Sequence, residues 1–212
     1  MTPRARARPR LNRRTVLDAA LALVDREGAK ALSMRRLGQE LGVEAMSLYT
    51  YLANRDELLD GLSEIMVEAL PQNPAVADWR DGIRAFAHGI RATAEKHPQA
   101  FRLVGMRPLK TTSALNPVEM LLSTLRRSGF NPLQAVSAYR LVAAYARGFA
   151  LAEIEGFTLD HDSNTSPETR TAIAEARATP DALDHNSAFT SGLETIVTGL
   201  AAQIASHESR RR

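Results

Sequence analysis

One short segment of the sequence carries small, hydroxyl-bearing and thioether side chains on one side and leucines on the other. It follows the tight turn Gly42-Val43-Glu44, and the spacing of Leu48 and Leu52 predicts that these two face a core. The residues predicted to face outward are Ala45, Met46, Ser47, Tyr49, Thr50 and Tyr51. A helix with such an outer surface fits the DNA major groove, which is about 12 Å wide.

Arginines flank this surface. Arg35, near the start of the preceding predicted helix, is placed to reach a guanine edge, while Arg36 and Arg55 suit contacts with phosphates. Four of the outward-facing residues have weak helix propensity, which counts against a purely structural surface: Ser47, Tyr49, Thr50 and Tyr51. The pattern therefore favours DNA binding, and the alternative is an ordinary helical hairpin with a solvated face.

Three predicted helices position the surface. The first covers 12–27, with Asn12 as its cap and Gly28 as its stop, and the second follows the cap Ser33. The third covers 45–51, so that the last two form a helix-turn-helix unit supported by the first. A fourth helix begins at the cap Asn54 and ends before Pro71.

The rest of the chain predicts larger helices and no strand. A joint at 71–77 and a polar connection at 157–185 interrupt them. We expect an all-α fold, with a flexible basic arm at 1–14, a three-helix DNA-binding domain at 15–60 and a larger helical domain at 61–212. The predicted helices of the larger domain are 78–97, a short one through 101–103, 117–129, 132–155, 168–178 and 188–206.

Composition restricts the class of protein. The 212 residues are 44% hydrophobic and contain no cysteine, which excludes disulfides and thiolate metal sites. No apolar run is long enough to span a membrane and no secretory signal is present, so we expect a cytoplasmic protein. The sequence offers no Ser-His-Asp set, no metal-spaced histidine pair and no phosphate-binding glycine loop, so we expect neither an enzyme nor a metal or cofactor site.

The first acidic residue, Asp18, comes after a run of arginines. An arm of this kind suits phosphate contact or insertion into a minor groove, and a tail that only aids solubility is an equal alternative. These arginines are Arg4, Arg6, Arg8, Arg10, Arg13 and Arg14.

Together these residues resemble the TetR (tetracycline repressor) family. The resemblance is closest over the DNA-binding head: Ala31-Leu32-Ser33-Met34-Arg35-Arg36-Leu37-Gly38, Leu41-Gly42-Val43, Leu48-Tyr49-Thr50-Tyr51-Leu52 and Asn54-Arg55-Asp56-Glu57-Leu58-Leu59. It extends more weakly to Gly105-Met106-Arg107-Pro108 and to the last helix. The resemblance implies a homodimeric repressor that binds a palindromic operator and releases it when a small molecule binds. It also implies that the larger domain at 61–212 senses a ligand and forms the dimer.

The resemblance also assigns roles within the head. It places base reading on Arg35, Ala45, Met46, Ser47, Tyr49, Thr50 and Tyr51, and phosphate contacts on Ser33, Arg55 and Arg36. The reading helix of the tetracycline repressors begins with Gln-Pro and ends with Tyr-Trp-His. This chain has Ala45-Met46 and Tyr49-Thr50-Tyr51 at those places, so we expect a different operator sequence.

The larger domain at 61–212 resembles that of the family, but it lacks the residues that bind the metal-chelated drug in the tetracycline repressors. Where the tetracycline repressors have a histidine that holds magnesium, this chain has Leu103 or Val104, so we expect no binding of magnesium-tetracycline. We expect instead a small hydrophobic organic effector in an apolar cavity, although such residues also occur as plain core. The predicted lining is Phe86, Ile90, Leu103, Met106, Met120, Tyr139 and Ala143.

The long helices 132–155 and 188–206 are rich in alanine and glycine, which permits close approach between copies of the chain. We therefore predict that they form the dimer interface, with packing inside one chain as the alternative. Two further alternatives for function stay open: an architectural DNA-binding protein without an effector, and an activator rather than a repressor.

Overall fold

The computed structural model describes residues 11–70, 78–156, 166–178 and 184–209. These residues form ten α-helices and no strand, which confirms the predicted all-α class. In chain order the helices are α1 (Arg13–Glu27), α2 (Met34–Leu41), α3 (Ala45–Leu48), α4 (Arg55–Glu68), α5 (Trp79–Lys96), α6 (Pro98–Val104), α7 (Thr112–Arg127), α8 (Pro132–Glu155), α9 (Pro167–Ala178) and α10 (His185–Ser209).

The chain divides into two compact units. The first comprises the described residues up to Leu70 together with Lys96–Asn116, and the second comprises the other described residues. The predicted joint at 71–77 lies outside the described residues, as do the first ten residues of the predicted basic arm. Arg13 and Arg14, the last two residues of that arm, form the start of α1. Within the described ranges, no helix combines the length and hydropathy needed to cross a membrane.

The first helices of the DNA-binding domain start at the side-chain caps that the sequence predicts. Asn12 Oδ1 accepts a hydrogen bond from Thr15 N at 2.8 Å, and Ser33 Oγ accepts one from Arg36 N at 3.2 Å. These bonds satisfy amide groups that a helix leaves without internal partners. α1 ends at Gly28, whose φ of 83° lies in the region that favours glycine.

Three helix boundaries differ from the prediction. α3 ends at Leu48 and continues as a turn in which Tyr51 N donates to Leu48 O, because the aromatic and β-branched residues 49–51 favour a helix poorly. The predicted start of α7 at Pro117 is wrong, since Thr111 Oγ1 accepts from Ala114 N at 3.4 Å and the helix begins five residues earlier, at Thr112. α10 begins three residues early because Asp184 caps it.

The first unit packs around α1. Its apolar stripe packs against α2, α4 and α6. Each leucine of this unit contributes about 1.5–3 kcal/mol when fully buried. α4 crosses α1 closely: a Cβ atom on Gly61 would lie 2.6 Å from Leu17 Cδ2. The fully buried residues are Val16, Ala20, Leu23, Val24, Leu37, Leu48, Leu52 and Leu62.

The second unit encloses an aromatic cluster and a charged pair. The rings of Tyr145 and Phe189 stack with centroids 5.4 Å apart, and the Tyr145 hydroxyl donates to Phe189 O at 2.8 Å. Arg91 on α5 forms two hydrogen bonds with Glu153 on α8, at 2.8 and 2.7 Å, and one with Asn186 on α10 at 3.0 Å. The pair therefore ties three helices together. Burial raises the pKa of the Tyr145 phenol.

At the start of α5, Trp79 is 6% exposed and packs edge-on against Phe130, with ring centroids 5.0 Å apart. The Arg80 guanidinium lies over the indole ring at 4.7 Å from its centroid. This contact fixes the beginning of α5 against the segment that follows α7.

Candidate nucleic-acid interface

The turn between α2 and α3 brings two helices into backbone contact. Gly42 adopts the left-handed conformation with φ 68° and ψ 34°, and Val43 N donates to Gly38 O at 2.9 Å. A Cβ atom on Gly38 would lie 2.8 Å from Val43 O and 3.2 Å from Ala45 N. Sequence reasoning missed the role of Gly38, although a glycine inside a short helix indicates such an approach.

The outer face of α3 and the following turn is accessible. Met46 is 77% exposed and Tyr49 45% exposed, while Leu48 and Leu52 are fully buried as predicted. The other four predicted reading residues are exposed or half-buried: Ala45, Ser47, Thr50 and Tyr51. The structure thus places all six predicted side chains of this segment on the solvent side of the two leucines.

Three other predicted contact residues have unused hydrogen-bonding capacity. Ser33 accepts a bond from the backbone, which leaves its hydroxyl hydrogen for an external acceptor. Arg35 on α2 and Arg55, the first residue of α4, are both exposed. Among the described residues, no carboxylate pairs with either arginine, so both guanidinium groups are available to phosphates or bases.

Arg36 differs from its neighbour. Its Nε lies 3.2 Å from Glu27 Oε2 and its Nη1 lies 3.1 Å from Glu40 Oε2, and Arg26 joins the same two carboxylates. The hydrogen bonds from Arg36 and Arg26 hold the pKa of Glu27 below its usual value. This four-residue cluster links α1 to α2, so a phosphate would compete with two carboxylates for Arg36.

A second charged cluster ties α4 to the turn after α6. Arg107 Nε donates to Asp60 Oδ1 at 2.8 Å, and Lys110 Nζ donates to Asp60 Oδ2 at 2.6 Å. The hydrogen bond from Lys110, followed by that from Arg107, lowers the pKa of Asp60. The signal for this site was an acidic residue among the leucines of α4, and sequence reasoning overlooked it.

We expect the substitution Asp60→Asn to lower the free energy of unfolding by about 1–2 kcal/mol near neutral pH, because two charge-assisted hydrogen bonds become neutral. The wild-type contribution is present above the ordinary carboxyl pKa of 3.8 and is lost as the pH falls through the lower folded value. The difference between the two proteins should therefore shrink at about pH 3, measured by denaturant unfolding.

The exposed Asp18, which pairs with Arg14 within α1, supplies the control. Asp18→Asn should change the stability by less than about 1 kcal/mol at either pH. An equal loss for Asp60→Asn at both pH values would contradict the role assigned to its charge.

The predicted effector-binding residues divide between the two units. In the second, the rings of Phe86 and Tyr139 meet edge-on with centroids 5.9 Å apart, Ile90 and Ala143 are buried, and Met120 is half-buried. The first unit holds Leu103, which is half-buried, and Met106, which is 62% exposed. The cavity itself stays a prediction.

A supporting helix, a turn with a left-handed glycine and a short helix with an accessible polar face define the class of helix-turn-helix DNA-binding proteins. Residues 16–62 match the family model described as bacterial regulatory proteins, tetR family, and residues 70–204 match the tetracyclin repressor-like, C-terminal domain. The chain belongs to the tetR family of bacterial transcriptional regulators.

Relatives match nearly the whole chain. An HTH-type transcriptional regulator of Saccharopolyspora erythraea is 31% identical, covering 93% of this chain and 88% of its own. The class D tetracycline repressor of Escherichia coli is 29% identical over 92% of this chain and 91% of its own.

Solved structures of the same family superimpose on the chain. Apo ActR of Streptomyces coelicolor matches with a TM-score of 0.82 and 25% identity, covering 96% of this chain and all of its own. A structure of ActR in complex with actinorhodin matches with a TM-score of 0.73, 25% identity and coverage of 92% and 98%.

Proposed function

We propose that this chain is a repressor that binds a palindromic operator as a homodimer and releases it when a small organic effector binds, with no catalytic activity. The observation that carries the proposal is the accessible face of α3, flanked by two arginines that pair with no described carboxylate. Selection of bound sequences from random DNA tests it. One enriched palindrome supports operator recognition, and binding without any enrichment contradicts it.

We expect Arg35→Ala and Arg55→Ala to weaken binding to the selected operator by about tenfold or more, because each removes a cation that faces DNA. Arg55→Ala should weaken binding to all sequences alike, since it removes a phosphate contact. It should also reduce the slope of log K against log salt concentration by about one for each protomer. Titrations at several salt concentrations measure both effects.

Arg26→Ala is the matched control, since it removes the same charge from the same unit but from a side chain already paired with Glu27 and Glu40. We expect it to change operator affinity much less. If all three variants lose affinity equally, net charge alone explains the binding and the assignment of Arg35 and Arg55 fails.

The proposed dimer interface rests on α8 and α10. On α8, Leu133, Val136 and Leu141 are 76%, 44% and 48% exposed, although each is a large apolar side chain. Gly148 on α8 and Gly199 on α10 have no described atom within 4 Å of an added Cβ, so both helices offer open surface for close packing. A second copy of the chain would cover these residues in a four-helix arrangement.

Leu141→Glu should shift the protein from dimer to monomer and abolish cooperative binding to both half-sites, because it buries a charge in the proposed interface. Sedimentation measures the assembly. The exposed Ala22 on α1 provides the control variant Ala22→Glu, which should leave the dimer intact. A dimer of Leu141→Glu as tight as the wild type would place the interface elsewhere.

The residues at the positions that would hold magnesium-tetracycline do not suit a metal ion. The resemblance places a carboxylate that supports the metal in the tetracycline repressors near Ala152 or Glu153. Alanine has no ligand atom, and Glu153 has both oxygens bound by Arg91 at 2.8 and 2.7 Å. Leu103 and Met106 carry no oxygen or nitrogen in their side chains. We therefore assign the effector to small hydrophobic organic molecules. The related ActR has been solved in complex with actinorhodin.

Effector binding can release the operator only if the effector binds one conformation of the protein more tightly than another. In our proposal the turn at 105–108 moves when the effector binds, and the bonds of Arg107 and Lys110 to Asp60 pass that movement to α4. Release of the selected operator by apolar ring compounds, and not by magnesium-tetracycline, is the expected result. Failure of every such compound would favour an architectural protein without an effector.

A further inference from the structure

Met46 is the most exposed large apolar side chain among the described residues, at 77%. It is the second residue of α3 and is flanked by exposed hydroxyl groups of Ser47, Tyr49 and Thr50. At this exposure Met46 adds little to the core, and it lies on the face of α3 that the proposed function assigns to operator DNA.

We propose that Met46 reads the C5-methyl group of a thymine in each half-site of the operator. The inference rests on the proposed operator binding and adds the identity of the base. A thioether donates no hydrogen bond and accepts only weakly, so Met46 cannot distinguish bases by their polar groups. The one apolar group that unmodified base pairs present in the major groove is the thymine methyl.

The surroundings of Met46 favour DNA over a protein partner. The exposed arginines Arg35 and Arg55 lie on the adjoining helices and pair with no carboxylate among the described residues. The neighbouring side chains of α3 and of the turn that follows it supply hydroxyl groups, from Ser47, Tyr49 and Thr50. Hydroxyl groups are the composition expected for contacts with base edges and phosphates. The unbranched, flexible side chain of methionine adapts to the position of one methyl group.

The experiment begins with the palindrome selected from random DNA. Each thymine is replaced in turn by deoxyuridine, which differs only by lacking the methyl group, and the affinity of the full-length protein is measured. For one thymine per half-site we expect a loss of about fourfold per half-site, the effect of one buried methyl group. In Met46→Ala the same replacement should have no measurable effect.

Gln39→Ala is the matched control: Gln39 is an exposed residue of α2 that has no assigned role, and its variant should retain the full deoxyuridine effect. A second measurement replaces the critical T·A pair by 5-methylcytosine·G or by C·G. The methylated pair should bind the wild type more tightly than the unmethylated pair, again by about fourfold per half-site, because it restores the same methyl group.

Three results would overturn the inference. In the first, a palindrome is selected, but replacing each thymine by deoxyuridine changes the affinity of Met46→Ala as much as that of the wild type. This result rejects the inference and does not affect the proposed operator binding. In the second, methylation of cytosine does not restore affinity. In the third, no palindrome is selected, and the proposed function fails together with the inference. Circular dichroism and affinity for random DNA verify that Met46→Ala is folded.

Discussion

We expect Glu153→Gln to lower the free energy of unfolding of the second unit by about 3 kcal/mol, because it removes the buried carboxylate that pairs with Arg91. Only the longer contact of 3.4 Å to the exposed Glu95 then remains as a charged partner. The side chains of Arg91 and Glu153 are only 10% and 15% exposed. The hydrogen bonds from Arg91 to Glu153 raise the pKa of the arginine in the wild type. Arginine stays charged in proteins even without such a partner, so the variant keeps a buried cation. Denaturant unfolding followed by circular dichroism measures the loss.

The pair between Arg84 and Glu194 provides a matched control in the same unit. It has the same two-bond geometry, at 2.7 and 2.8 Å, but the side chains are 35% and 43% exposed. Glu194→Gln should therefore destabilise the protein much less than Glu153→Gln does. If both variants lose the same stability, burial is not the origin of the effect.

Gly38→Ala should destabilise the first unit by about 2 kcal/mol and weaken operator binding by more than tenfold. The added Cβ would meet Val43 O at 2.8 Å, and a backbone carbonyl cannot swing away as a side chain can. The loss exceeds the gain of about 1 kcal/mol that alanine brings to a helix, so α2 and α3 must separate.

Gly82→Ala tests this explanation, since Gly82 also lies inside a helix. Its added Cβ would make ordinary contacts, 3.6 Å from Thr124 Cγ2 and 3.7 Å from Leu121 Cδ1. We expect this variant to gain up to about 1 kcal/mol from helix propensity. Thermal unfolding and operator titration of both variants decide the matter, and a stable, fully active Gly38→Ala would show that the helices have room to adjust.

Local signals in the sequence predicted most of the fold. The caps Asn12, Ser33 and Asn54 act within three residues along the chain, so their effect is visible without tertiary structure. The burial of Leu48 and Leu52 followed equally from helical spacing. The start of α7 was predicted wrongly at Pro117, because a helix can begin before such a cap-and-proline pattern, here after the cap Thr111.

The charged clusters could not be predicted in the same way. Arg91 and Glu153 are 62 residues apart, and Asp60 lies 47 residues from Arg107. Such pairs form only when particular helices pack against each other. The hydrophobic periodicity of a single helix does not show which helix will be its neighbour. The same limit applies to Arg36, whose phosphate role was predicted without knowledge of its bonds to Glu27 and Glu40.

The packing of Trp79 makes the two units separately observable. It is the only tryptophan of the sequence and belongs to the second unit, where the Phe130 ring and the Arg80 guanidinium exclude water from the indole. Its fluorescence therefore reports the melting of the second unit without any introduced label, while far-ultraviolet circular dichroism records the helices of both units. Coincident curves would mean that the repressor unfolds as one cooperative body, and divergent curves would give each unit its own free energy.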